Sequence, residues 1–134
     1  MEKWHEIATK CFVDKFDLPL CEAANADYYT LSEIKQEVNK RITALATLGS
    51  VYIIPSDYIA EYRIINDYEA IATVEPIAEH KYRFAISKSA AVKKNEKYLD
   101  TIIYHELCHI LQVEFLVRMN VLAFIDGQLY YNPE

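Results

Sequence analysis

The sequence predicts an α+β fold: N-terminal helices, then a small, mostly antiparallel sheet, then a long central helix. Three observations lead there. Apolar residues recur at helical spacing early in the chain, run or alternate in short β-rich stretches in the middle, and return to helical spacing from about Glu96. The 134 residues contain no repeat, low-complexity tract or linker, so residues 1–134 form one domain. Hydrophobic residues make up 52% and charged residues 25%, enough apolar material to bury a core without disulfide or metal staples.

Trp4, Ile7, Ala8, Cys11, Phe12 and Phe16 lie at helical spacing, so residues 3–16 read as an amphipathic helix that Asp17-Leu18-Pro19 stops. Thr30 and Glu33 have the spacing of a capping box. Ile34, Val38, Ile42 and Leu45 then form one stripe of a second helix running to about Leu48, where Gly49 can end it. Val51-Tyr52-Ile53-Ile54 reads as a short β run ended by Pro55. Tyr62–Ile65 and Ala70–Val74 flank Asn66-Asp67, a turn dipeptide. Tyr82, Phe84 and Ile86 alternate with Lys81, Arg83 and Ala85, the pattern of a half-buried strand, expected at a sheet edge. A long helix follows from about Glu96 to Met119, and Asp126-Gly127 marks a turn near the end.

Composition narrows the function. Gly49 and Gly127 are the only glycines, which excludes a glycine-rich phosphate loop. The net charge of −6 argues against nucleic acid as the main partner and leaves protein or peptide partners open. Lys88, Lys93, Lys94 and Lys97 form the one basic cluster, expected to be a solvated loop and helix start. Cys11, Cys21 and Cys108 are odd in number and lack C-x-x-C spacing, so neither a disulfide framework nor a thiolate zinc ribbon is expected. The first residues carry no apolar signal region, and no apolar run is long enough to span a bilayer. A cytoplasmic location and no membrane partner are the expectations.

The chemistry concentrates in His105-Glu106-Leu107-Cys108-His109. On a helix, residues four apart lie about 40° apart and one turn above each other, so His105 and His109 can reach one tetrahedral metal ion. Glu106 sits about 100° round from His105 and can flank the metal, the place of a general base acting on water there. Ile102, Ile103, Leu107, Cys108, Ile110 and Leu111 leave almost no polar face except that of His105, Glu106, His109 and Gln112. Such a helix is expected to be buried, and a zinc ion would satisfy its polar groups. Without metal, the same residues would be a pair of core histidines with Glu106 in a salt bridge. Cys108 points about 100° away from His109 and is expected to be a small buried apolar residue. His5 and His80 are expected at ordinary surface or boundary positions, and Tyr130-Tyr131 in packing roles.

Tyr82-Arg83-Phe84-Ala85-Ile86-Ser87, followed after an interval by Tyr98-Leu99-Asp100-Thr101-Ile102-Ile103-Tyr104 and the motif, resembles the core of the SprT-like (Spartan-type) zinc metallopeptidases. In that family a strand ending in an apolar-Ser pair precedes a helix with an acidic-Thr-apolar-apolar start. The resemblance covers about residues 50–112, and the N-terminal helices in outline. It implies a minimal zincin-like fold, Zn2+ as cofactor, His105 and His109 as metal ligands, and Glu106 as catalytic base. Two departures stand out. The family commonly supplies a third histidine ligand after the motif helix, and no histidine follows His109 here. Asp126, in Asp126-Gly127, lies at about the right distance to offer a carboxylate instead. Glu134, water, or a ligand on a C-terminal extension are the alternatives. Glu114, about 140° from His109, is expected to point away. The zinc ribbon is also absent, which weakens any transfer of DNA-dependent activity.

The expected function is zinc-dependent hydrolysis of peptide bonds. Its rivals are a non-catalytic zincin-fold binding module and a dormant peptidase that needs a partner to complete its site.

Overall fold

Thr30 has extended backbone and its hydroxyl accepts the Glu33 N–H at 3.2 Å, while Glu33 Oε1 accepts the Thr30 N–H at 3.0 Å. This reciprocal capping box starts α1, Leu31–Ala46, as its sequence spacing predicts. The computed structural model describes residues 27–65, 71–93, 96–126 and 128–132. The helix expected over residues 3–16, with His5, Cys11 and Cys21, lies outside the described residues, as do the Asn66-Asp67 turn, Lys94, Gly127 and Glu134. Ile34, Val38, Ile42 and Leu45 are buried along one face of α1.

Val51–Ile54 is not a strand. Ser50–Tyr52 makes a single 3-10 turn, with the Tyr52 N–H bonded to the Gly49 carbonyl at 3.1 Å. Gly49 has φ of +150°, which suits glycine and breaks the direction of the chain after α1. Among the described residues no strand pairs with this stretch, and only Ile54 of it is buried. A β-rich composition without a partner edge does not make a strand.

Three strands follow: β1, Ile59–Ile65; β2, Ala72–Ala78; and β3, Lys81–Ser87. Their order is β1-β3-β2, with β3 parallel to β1 and antiparallel to β2. β1 and β2 therefore do not form a hairpin; the hairpin is β2–β3, and β3 enters the gap between them. The sheet is mixed rather than mostly antiparallel, and the Tyr82–Ile86 strand is its centre rather than its edge. The reason lies in burial. Tyr82, Phe84 and Ile86 are fully buried, and Ala85 and Ser87 are covered too, which leaves only Lys81 and Arg83 of β3 partly exposed. Pro76, which cannot donate to a ladder, sits in edge strand β2.

The long helix α2, Glu96–Arg118, packs against α1, β2 and the following strand β4. β4, Leu122–Ile125, and β5, Gln128–Tyr131, form an antiparallel hairpin around Asp126, which has φ of +52°. Arg41 couples the two helices. It is 3% exposed, its Nε donates to Asp100 Oδ1 at 2.7 Å, its Nη2 also bonds Asp100, and its Nη1 pairs with Glu37 Oε1 at 2.9 Å. The core lies between the two helices and the sheet face carrying Tyr82, Phe84 and Ile86. Among the described residues, no helix is long and apolar enough to cross a membrane.

Candidate metal centre

Leu99, Ile102, Ile103, Leu107, Ile110 and Val113 anchor α2 in the core. The helix is not buried all round, since Thr101, Cys108, Gln112 and Phe115 are exposed. Cys108 is thus a solvent-facing residue, contrary to the sequence expectation: it lies on the same exposed side of α2 as Thr101, Gln112 and Phe115. Its thiol pKa is nevertheless raised by partial burial, which disfavours a reactive thiolate.

His105 and His109 lie at the boundary between core and solvent, both half-buried. Their Nε2 atoms are 3.0 Å apart and their rings meet edge-on, with centroids 4.6 Å apart and planes at 81°. Two nitrogens on a tetrahedral zinc ion at the usual bond length stand about 3.3 Å apart, so a few tenths of an ångström separate this pair from a ligand geometry. Burial lowers the His109 pKa and so favours the neutral imidazole, the form that binds metal; Gln112, one turn on, interacts with the ring and acts in the opposite direction.

Glu106 is only 2% exposed, and its Oε2 has no hydrogen-bond partner among the described residues. Burial pushes its pKa up to about 8, partly offset by the Val74 backbone of edge strand β2. Ligand atoms of His105, Glu106 and His109 all lie within 4.8 Å of one another. Among the described residues this is the one such group of histidine, cysteine, aspartate and glutamate side chains. The residues fit a divalent cation: two imidazole nitrogens face each other, and among the described residues the nearby buried Oε2 of Glu106 has no hydrogen-bond donor.

Asp126 is not part of this group. It occupies the exposed turn of the β4–β5 hairpin, in a left-handed conformation that an aspartate tolerates well. Glu114 points elsewhere, as expected: its Oε1 accepts from His80 Nδ1 at 2.6 Å and its Oε2 from the Tyr82 hydroxyl at 2.7 Å. His80 is more than a boundary residue. It takes φ of +59° in the β2–β3 turn, stacks on Tyr58 with centroids 5.2 Å apart, and ties that turn to α2 through Glu114. Lys93 pairs with Glu33 at 2.8 Å, and Lys88 lies over the Tyr28 ring, so these two lysines of the basic cluster serve local contacts. The Tyr130 hydroxyl donates to Gln128 within the hairpin. The proximity of Val74 to Glu106 is absent from sequence reasoning, because it depends on which strand borders α2.

Comparison with protein-family models, curated proteins and solved structures finds no match for this chain.

Proposed function

We propose that this protein is a zinc-dependent peptidase of SprT-like type, with His105 and His109 as metal ligands and Glu106 as the general base. The observation that carries the reading is Glu106: a carboxylate held in a nearly dry site, with one oxygen unpartnered, beside two facing imidazole nitrogens. Packing does not account for it, since leaving a buried polar oxygen unsatisfied costs about 1–3 kcal/mol.

His105 and His109 would hold the ion through Nε2. Zinc, when bound, supplies the Lewis acidity that lowers the pKa of water and polarises a carbonyl. Glu106 accepts a proton from the attacking water at Oε2 and returns it to the departing amine. Strand addition at Tyr82–Ile86 is excluded by the central position of β3. The edge that borders the motif helix is β2. Ser87 N–H bonds the Ile71 carbonyl, so in this antiparallel register Ala72, Val74 and Pro76 turn their backbone groups outward; Val74 meets Glu106, and Pro76 offers a carbonyl alone. An extended peptide lying along that edge suits loose sequence selectivity.

A second reading, a zincin-fold binding module without turnover, is favoured by one observation: no further described histidine, cysteine or acid joins the cluster. Glu106→Gln separates the two. A peptidase variant keeps zinc and loses hydrolysis of an unfolded protein substrate by at least about 10²-fold. Equal hydrolysis in wild type and variant overturns the peptidase assignment, and so does absence of hydrolysis in a zinc-loaded wild type.

A further inference from the structure

We infer that Gln112 is a positioning residue of the metal centre: its side-chain carbonyl accepts the Nδ1–H of His109 and so presets the Nε2 of that ring, unprotonated, for a metal ion. This role rests on the metal-centre reading above and adds which of the two histidines stands ready to bind.

The proton count of the pair comes first. The Nε2 atoms of His105 and His109 face each other at 3.0 Å. A contact of that length is an N–H···N hydrogen bond, so one Nε2 carries a proton and the other is bare. The ring with the bare Nε2 carries its proton on Nδ1 instead. A metal ion needs the bare nitrogen, so one ring of the metal-free protein already holds the ligand tautomer, and its neighbours decide which.

Position selects His109. Residues three apart on a helix are neighbours, and helical side chains lean towards the N terminus. The exposed Gln112 is thereby carried onto the half-buried ring of His109, which it hydrogen-bonds. Nε2 of that ring is turned to His105, so Nδ1 is the nitrogen left to meet the amide. The contact favours the protonated ring, the effect of an acceptor rather than a donor, so Gln112 presents its carbonyl oxygen. His105 lies seven residues back from Gln112, about 10 Å along the helix axis, beyond the reach of this amide. His105 therefore donates its Nε2–H to His109, and must shed that proton or move it to Nδ1 when it ligates a metal. An acceptor on the far nitrogen is the usual way a ligand histidine is held in its tautomer and orientation. Here the motif helix supplies that acceptor itself, one turn after the ligand.

Long-range nitrogen-15 spectra of the metal-free protein at about pH 8, where an ordinary imidazole is neutral, read the tautomer of each ring. His109 is expected in the Nδ1–H form and His105 in the Nε2–H form. Gln112→Leu, at an exposed position, is expected to keep the melting temperature, to lose the His109 preference, and to weaken zinc binding by at least about tenfold in chelator competition. Gln112→Glu keeps an acceptor at the same place and is expected to retain both the tautomer and the affinity. An Nε2–H His109 in the wild type overturns the role of Gln112. So does a Gln112→Leu variant with wild-type tautomer or wild-type zinc affinity, or a Gln112→Glu variant that loses both. A wild type that binds no zinc overturns the metal-centre reading instead, and the metal-free spectrum still decides whether Gln112 holds His109.

Discussion

Glu106 stands among apolar positions of α2, and its chemistry follows from that burial. Its folded-state pKa of about 8 lies above the ordinary carboxyl value of 4.5, so the folded metal-free protein holds a proton that the unfolded chain has released between those limits. The sign is then set: stability is full below pH 4.5 and declines as pH rises through about 8, at a slope approaching about 1.4 kcal/mol per pH unit. Chemical denaturation of the metal-free protein at pH 5.5 and 8.5 is expected to show that decline, and Glu106→Gln to flatten it. An identical pH dependence in wild type and variant would remove the assigned cause. The metal ligands make a second residue-scale prediction. His105→Ala and His109→Ala are each expected to abolish binding of about one zinc per chain. Asp126→Ala is expected to leave zinc content unchanged, because its carboxylate belongs to an exposed hairpin turn and not to the cluster. Zinc retention by the His105→Ala/His109→Ala double variant would refute the centre.

Among the elements, α1 was the most legible in sequence. A capping box and a single apolar stripe are local signals, and both are realised; the helix ends at Ala46 with Thr47 as its C-cap, and Gly49 redirects the chain three residues later. The contact that fixes α1 against α2 was not legible. Arg41 lies four residues after Glu37 and 59 residues from Asp100, and only packing brings the second carboxylate to a guanidinium that is 3% exposed. Asp100→Ala leaves that buried cation with Glu37 alone. The expected cost is about 2–4 kcal/mol, at the lower end for broken buried pairs because Asp100 is itself 49% exposed. Thr30→Ala removes one capping bond at an exposed helix start, with an expected loss of about 1 kcal/mol. Denaturant titration of both variants checks the ranking. A larger loss from Thr30→Ala than from Asp100→Ala would show that local capping outweighs the helix–helix contact. The β strands were less legible. Alternation identified β3 but not its neighbours, and Val51–Ile54 had strand composition with no edge to pair with.

At the scale of the molecule, charge sets the partners to expect. The net charge is −6, and Lys93 is tied to Glu33 and Lys88 set over Tyr28, which argues against nucleic acid as a main partner. Single- and double-stranded DNA are expected neither to bind tightly at physiological salt nor to stimulate hydrolysis. Salt-sensitive binding below about 1 µM in a fluorescence anisotropy titration would contradict this.

The amino-acid sequence alone determined the α+β class, the capped helix α1, the long helix and the registration of His105, Glu106 and His109 on one turn of it. All of these depend on residues within a few positions of one another, where backbone geometry leaves little choice. The tertiary structure decided the rest. It inserted β3 between β1 and β2, which makes Tyr82–Ile86 a core and turns β2 towards the motif helix. It exposed Cys108, drew His80 and Tyr82 onto Glu114, and left Asp126 outside the metal cluster. Each of these outcomes depends on which apolar faces meet, and the contacts that settle it join residues far apart in the chain.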